Sequence, residues 1–284
     1  MIEALTAEQV AAFDQDGFLI VEEGLVPPAA LPELRERFVR LYDGDYETGI
    51  KPDEVNWVAG RDPDDRTRQI CNGWRADNVV AAQVLSQRTG RLTAQLARYR
   101  GVRLLQDNVL WKPPGAKAIG FHQDGSYADY LVPAEMITCW ISLDDLPADA
   151  GPLEYVRGSH RWPRTPPQRS QFHAPEDWLA PARAAAPEGV ELDVVPVAMK
   201  AGGGSFHHGL TWHGSPPNAN AAVARMALVS HMIPAEARFH ERHVDLVYSR
   251  YRKRGDLGLD ESFFPVLWAE SGYRTPWLAE LPAL

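Results

Sequence analysis

Apolar residues follow two different periods along this chain, and the change between them falls near residue 100. In PPAALPELRERFVRLYDGD, Leu31, Leu34, Phe38 and Leu41 recur every three or four positions, which predicts a helix with one buried face. Ahead of it, Thr6 and Gln9 stand in the form of a capping box. A short helix is therefore expected to about Phe13, followed by a buried strand in GFLIV, 17–21. The run NVVAAQVLSQRTGRLTAQLARY (78–99) continues the helical spacing, with Gly90 as the expected break.

Beyond residue 100 the pattern shortens to β-rich runs divided by Pro and Gly: VRLLQDNVLWK, MITCWISLDD, GPLEYVRG, ELDVVPVAMK, GSFHHGLTWHG and ARMALVSHMI. With no long helices between them, such runs predict an antiparallel sandwich or barrel rather than a parallel sheet. The expected fold class is mainly β with N-terminal helices. We read one domain over 1–284, with helical support over about 1–100, a β core over about 101–235 and a C-terminal cap over 236–284. The Pro-, Ala- and Arg-rich stretch 161–190 reads as an irregular insertion able to cover a site. FFPVLWAESGYRTPWL near the C-terminus would place Trp268 or Tyr273 at the mouth of that site.

Composition narrows the function classes. Two cysteines, Cys71 and Cys139, exclude a disulfide framework and a Cys-based zinc site, and suit a reducing compartment. MIEALTAEQV has neither a basic start nor an apolar stretch after it, and no run approaches the roughly 18 apolar residues of a membrane span. A cytoplasmic protein is expected, monomeric or homodimeric, with no membrane partner. A formal net charge of -9 argues against nucleic acid and for a small-molecule substrate.

The candidate chemistry centres on FHQDGSYADY, 121–130, where His122 and Asp124 stand two apart. The spacing alone is common, so a third ligand must come from elsewhere. His207, His208 and His213 fall in GGGSFHHGLTWHGSPPN. If 206–213 is one strand, His207 and His213 share a face but lie roughly 20 Å apart, so at most one joins the pair. His213 is the better candidate because it ends the strand before a Gly-Ser-Pro-Pro turn. Two imidazoles and one carboxylate on one side of a metal leave three adjacent positions open, the arrangement suited to non-haem Fe(II) oxygen chemistry. A hairpin centred near residue 219 would set His213 opposite Arg225, whose guanidinium could grip the far carboxylate of a short dicarboxylic acid, with Ser215 adding a hydroxyl.

In combination, HQD at 122–124, GPLEYVRGSH at 151–160 and HGSPPN followed by Arg225 resemble the phytanoyl-CoA dioxygenase family of Fe(II)- and 2-oxoglutarate-dependent oxygenases. The resemblance runs from about residue 100 to 233, with a weaker match in DGFLIV. It implies a double-stranded β-helix (jelly roll, cupin-like), with Fe(II), 2-oxoglutarate and O2 as cofactor and co-substrates. It also implies iron ligation by His122, Asp124 and His213, and binding of the 2-oxoglutarate C5 carboxylate by Arg225 with Ser215. Trp140 matches a tryptophan lining the co-substrate pocket, and Gln106 is a further co-substrate contact. Gly203-Gly204 departs from the Gly-Asp of many members, which bears on the turn there rather than on the ligands.

The remaining candidates divide between packing and chemistry. Tyr127 and Tyr130 could wall the substrate pocket or pack in the core. Under the same hairpin register His207 would face His231, which allows it a place beside the substrate. The basic run SRYRKRG (249–255) reads as a solvated helix face, with an anchor for an anionic substrate as the alternative. The implied reaction is hydroxylation of an unactivated C–H of a small metabolite or natural-product intermediate, releasing succinate and CO2. Epimerisation, cyclisation, desaturation, acyl-CoA hydroxylation and non-catalytic binding of iron and 2-oxoglutarate are the alternatives.

Overall fold

The computed structural model describes residues 1–168, 171 and 174–284, so the expectation for the 161–190 stretch falls partly outside the described residues. The capping box forms: Thr6 Oγ1 accepts from the Gln9 amide at 3.2 Å and Gln9 Oε1 accepts from the Thr6 amide at 2.9 Å. It opens α1 (Ala7–Asp16), and Gly17, at φ 83°, ends that helix three residues later than expected from the sequence. The strand β1 (Phe18–Val21) follows, then α2 (Leu31–Tyr42), whose Leu31, Leu34, Phe38 and Leu41 form the buried stripe.

Two short strands come next, β2 (Glu54–Val55) and β3 (Arg68–Cys71). The 78–99 run breaks at Leu85–Ser86, not at Gly90, giving α3 (Asn78–Val84) and α4 (Gln87–Ala97). Asp77 caps α3 through the amides of Val79 and Val80. Gly90 lies inside α4 because the helix presses there on the C-terminal segment: a Cβ at Gly90 would stand 2.9 Å from Leu267 Cβ. Close packing, not helix breaking, explains that glycine.

The β region supplies β4 (Gly101–Lys112), β5 (Ile119–His122), β6 (Leu131–Val132), β7 (Ile137–Ser142) and β8 (Glu154–Val156). After α5 (Ala180–Ala185) come β9 (Val194–Pro196), β10 (Gly204–His208), β11 (His213–Ser215), β12 (Arg225–Pro234), β13 (Arg238–Phe239) and β14 (Val266–Ala269). The larger sheet runs β1-β10-β7-β12-β4-β3-β2, with β14 also on β4, and the smaller runs β5-β11-β8-β9. Both are antiparallel and face one another: Tyr155 on β8 bonds Ser205 on β10, and Lys112 on β4 bonds Ser215 on β11. This is a jelly roll, as expected from the sequence.

Strand alternation sorts the larger sheet into two faces. Ile141, Phe206 and Leu228 point outward into one core with Leu34, Phe38, Leu41, Val80 and Leu92 of the helices. Trp140, Ala227 and Val229 point inward with Tyr155 and Phe18. The helices thus back the sheet whose inner face forms one wall of the site. Gly203 and Gly204 are required where β1 and β7 close on this strand: a Cβ would stand 2.2 Å from Glu22 O at the first and 2.3 Å from Trp140 O at the second. An aspartate at 204 has no room here, which accounts for the departure from Gly-Asp.

Candidate metal centre

His122 ends β5 and His213 begins β11, and the two are paired across the smaller sheet. Their rings lie 4.2 Å apart between centroids. Two residues after His122 the chain turns into a short 3-10 segment at Asp124, which swings its carboxylate back over both rings. Asp124 Oδ1 is 3.5 Å from Nε2 of each histidine, and the three ligand atoms lie within 4.8 Å of one another. Each histidine donates its Nδ1–H to a carbonyl, His122 to Gly120 and His213 to Thr211, both at 2.9 Å. Those bonds fix the tautomer that leaves Nε2 free to bind a metal. Burial opposes ionisation of Asp124, but the imidazoles around it, His213 first, hold its carboxyl well below the usual range. Two imidazoles and a carboxylate on one side of a cavity suit a divalent first-row metal with open positions.

His207 overturns the distance argument made from the sequence. The chain does not run on as one strand from 206 to 213: β10 stops at His208, Thr211 N–H donates back to His208 O at 2.8 Å, and β11 begins in the other sheet. The His207 and His213 rings are therefore 4.4 Å apart, not roughly 20 Å. His207 Nε2 bonds Asp124 Oδ2 at 2.9 Å, and its Nδ1 bonds Tyr155 Oη at 2.9 Å. Burial and the neighbouring His213 push its pKa down to about 3, so the ring is neutral. His208 points away, as strand alternation requires, and lies against His160.

The expected hairpin from His213 to Arg225 does not form. β11 and β12 lie in different sheets, and Arg225 pairs with Lys112 on β4 rather than with His213. His207 and His231 do not face each other directly, because β7 runs between them and Thr138 is the partner of both. At the far end of the cavity from the turn at Asp124, Arg225 is buried with one hydrogen bond, from Nη1 to Gly151 O at 2.6 Å. Lys112 is fully buried beside it, donating to Ser215 Oγ at 2.8 Å and to Pro216 O. Burial pushes Arg225 down to about 10 and Lys112 well below its ordinary value. Neither has an ion-pair partner among the described residues; Arg225 lines the cavity, whereas Lys112 does not and instead holds Ser215, which does. Lys112 was missed in the sequence; its signal was the inward alternation Gln106, Asn108, Leu110, Lys112, which only the register with β12 makes legible.

A cavity of about 630 Å³ joins the two ends. Trp140 lines it with Nε1 unpartnered, its ring 5.7 Å from the Arg225 guanidinium. Gln106 lines it too, but its amide is taken by Asn108 Oδ1 at 2.6 Å and by Tyr248 Oη at 2.5 Å. Tyr127 and Tyr130 both reach the wall; Tyr127 bonds Gln171 of the insertion and Tyr130 packs on Phe239 and Tyr248. Trp268 and Tyr273 are not among the lining residues. The C-terminal region reaches the mouth instead through Val244 and Leu246, 72% and 88% exposed. The basic run is not a helix face: after a 3-10 turn over 248–251, Arg252 holds the carbonyls of His240 and Glu241, and Lys253 pairs with Asp260 at 2.6 Å. No helix among the described residues is long and apolar enough to cross a membrane.

No curated protein sequence matches the chain. Among solved structures, the carbocyclase SnoK from nogalamycin biosynthesis is 23% identical, with a TM-score of 0.70 over 92% of this chain and 96% of its own. The epimerase SnoN, in complex with Fe3+, alpha ketoglutarate and nogalamycin RO, is 20% identical, with a TM-score of 0.72 over 92% and 98%. EctD from S. alaskensis, with 2-oxoglutarate and 5-hydroxyectoine, is 17% identical, with a TM-score of 0.67 over 90% and 87%. These likenesses establish the fold. The family model described as phytanoyl-CoA dioxygenase (PhyH) matches residues 13–227, from the first helix through the start of β12, and by that match the chain belongs to the PhyH family.

Proposed function

We propose that this protein is an Fe(II)- and 2-oxoglutarate-dependent oxygenase that hydroxylates an unactivated C–H of a small metabolite or natural-product intermediate. The observation that carries the reading is the His122, Asp124 and His213 cluster, with both Nε2 atoms and one carboxylate oxygen converging beside an open cavity. The bound iron, with dioxygen and the keto acid, would supply the oxidising chemistry. The chain's own task is to place the reactants. Arg225 holds the distal carboxylate of 2-oxoglutarate, Ser215, held in turn by Lys112, adds a hydroxyl and Trp140 walls the co-substrate. Gln106 belongs to the wall on the substrate side, and Tyr127, Tyr130 and the His207 edge border the reacting carbon.

A dicarboxylate clamp has no use in metal-assisted hydrolysis, and an intact ligand set does not suit a protein that only sequesters a ligand. A second reading within the class keeps the same site with another outcome. The fold neighbours include a carbocyclase and an epimerase, so ring closure and epimerisation stand beside hydroxylation. Acyl-CoA oxidation fits less well. The basic run 249–255, the candidate anchor for a CoA phosphate, is engaged locally, and Glu54, Asp129 and Asp245 line the cavity. The test is anaerobic addition of Fe(II) and 2-oxoglutarate, followed by air. A metal-to-ligand charge-transfer band and then succinate are expected; no band would count against the whole reading.

Lys112→Met gives a narrower check. Methionine fills the space of the lysine stem without its ammonium, so Ser215 Oγ loses the donor that holds it toward the co-substrate. The 2-oxoglutarate Kd, read from the charge-transfer titration, is expected to rise about 10-fold or more. An unchanged Kd would remove Lys112 from the clamp.

A further inference from the structure

Asp124 has two oxygens with different surroundings. Oδ1 faces the Nε2 atoms of His122 and His213. Oδ2 faces away from them and is met by two donors, His207 Nε2 at 2.9 Å and Thr138 Oγ1 at 2.8 Å, with His231 Nδ1 further off at 3.5 Å. Behind Thr138 the bonds continue in series across the inner face of the larger sheet. Thr138 Oγ1 lies 2.9 Å from His231 Nδ1, His231 Nε2 lies 3.0 Å from Asn108 Nδ2, and Asn108 Oδ1 accepts from Gln106 Nε2 at 2.6 Å. Tyr248 Oη closes the series on Gln106 Oε1 at 2.5 Å.

Counting protons gives the series one direction. An ionised carboxylate only accepts, so the single hydroxyl proton of Thr138 goes to Asp124. Thr138 Oγ1 must then accept from His231 Nδ1–H, which makes His231 Nε2 an acceptor for the Asn108 amide. Asn108 and Gln106 each present NH2 to one neighbour and C=O to the other, in the same sense, and Tyr248 donates at the outer end. No member is left with donor against donor or acceptor against acceptor. The strand register supplies the spacing: Thr138 pairs with His231, and His231 with Gln106, so three of these side chains stand in one row.

We propose that Thr138 and His231 are positioning residues for the metal centre: this series delivers one hydroxyl to Oδ2 of Asp124 and so holds the carboxylate with Oδ1 alone turned to the metal. The proposal rests on the oxygenase reading above. A carboxylate fixed to one oxygen keeps three adjacent metal positions open, whereas one free to rotate would close a position by chelating. The outer end, Tyr248, lies on the segment that lines the cavity mouth, so a molecule seated there touches the same series. His231 uses both ring nitrogens within it, which leaves the ring its face, not a hydrogen bond, to offer a substrate.

The test is Fe(II) affinity of the full chain, measured anaerobically by quenching of tryptophan fluorescence. Thr138→Val keeps the shape and removes the hydroxyl. Its Fe(II) affinity is expected to fall about 10- to 100-fold, the usual size of such an effect, and Thr138→Ser should restore most of it. A purely structural role would show in the melting temperature without that rescue in affinity. Should Thr138→Val not fold, His231→Phe removes the donor that orients the hydroxyl and is expected to weaken Fe(II) binding in the same direction. Wild-type affinity in the folded variants overturns the proposal alone. Absence of Fe(II) binding by the wild-type chain overturns the oxygenase reading beneath it.

Discussion

Asp124→Asn is expected to abolish Fe(II) binding and succinate formation while leaving the fold in place. The amide is the same size as the carboxylate, and its surroundings dictate how it sits. Thr138 Oγ1 and His207 Nε2 both donate to the Oδ2 position, at 2.8 and 2.9 Å, so the amide oxygen must take that side. The NH2 group is then turned toward the two Nε2 atoms, where a metal ligand is needed and where an NH2 has no lone pair to give. Asp124→Ala would remove the ligand too, but it would strand both donors at about 1–3 kcal/mol each, confusing loss of metal with loss of stability. His208→Ala serves as the control. His208 lies on the other face of β10, against His160, and its loss should leave Fe(II) binding intact. An Asp124→Asn protein that still gave the charge-transfer band with wild-type affinity would mean that the metal, if any, sits elsewhere.

How much of this was legible in the sequence depended on the range of the interactions concerned. Local signals survived. The Thr6–Gln9 box and the α2 stripe are set by neighbours three or four residues away, and both appear as read. That His122, Asp124 and His213 stand together was legible for a related reason: His-x-Asp is a local unit, and a histidine at a strand end before Gly-Ser-Pro-Pro has few places to go. What failed was every inference that needed a register. Treating 206–213 as one strand put His207 far from the metal, because a reversal at 208–211 that hands the chain from one sheet to the other leaves no mark in alternation. The 213–225 hairpin failed likewise, since the chain crosses between sheets there. Arg225 lines the cavity through the pairing of β12 with β4, a partner more than a hundred residues away.

The residues that were missed share a feature. Lys112, Thr138 and His231 stand in runs that read as ordinary strand, and nothing near them in sequence announces a polar role. Thr138 sits among apolar neighbours in MITCWIS, where threonine is expected simply because it is β-branched. Only cross-strand pairing reveals that it separates two histidines and meets a carboxylate. Gly90 and Gly204 erred in the same sense. Each was judged by what it does to its own segment, whereas its cause is another segment packed against it.

Arg225→Leu should separate binding from stability in opposite directions. In the wild-type chain the guanidinium is buried with a single hydrogen bond, its Nε is unpartnered and no carboxylate pairs with it among the described residues. Burial alone pushes its pKa to about 10, a sign that the charge is costly there without a ligand. Leucine removes that burden and the repulsion with Lys112, so the free protein should melt no lower than wild type and may be compared directly with it. The keto acid, by contrast, loses the partner of its distal carboxylate. Truncating one side of a buried, hydrogen-bonded charge pair costs 2–5 kcal/mol, so the 2-oxoglutarate Kd is expected to rise roughly 30- to several-thousand-fold. Arg225→Lys should not restore it, because a point charge cannot reproduce the planar fork. The decisive comparison uses 2-oxobutyrate, which chelates a metal through the same keto-acid end but has no distal carboxylate. Wild type and Arg225→Leu should bind it alike. A loss for both keto acids, or a lowered melting temperature with 2-oxoglutarate binding intact, would assign Arg225 to the architecture of β12 and leave the far end of the cavity without a purpose for its buried guanidinium.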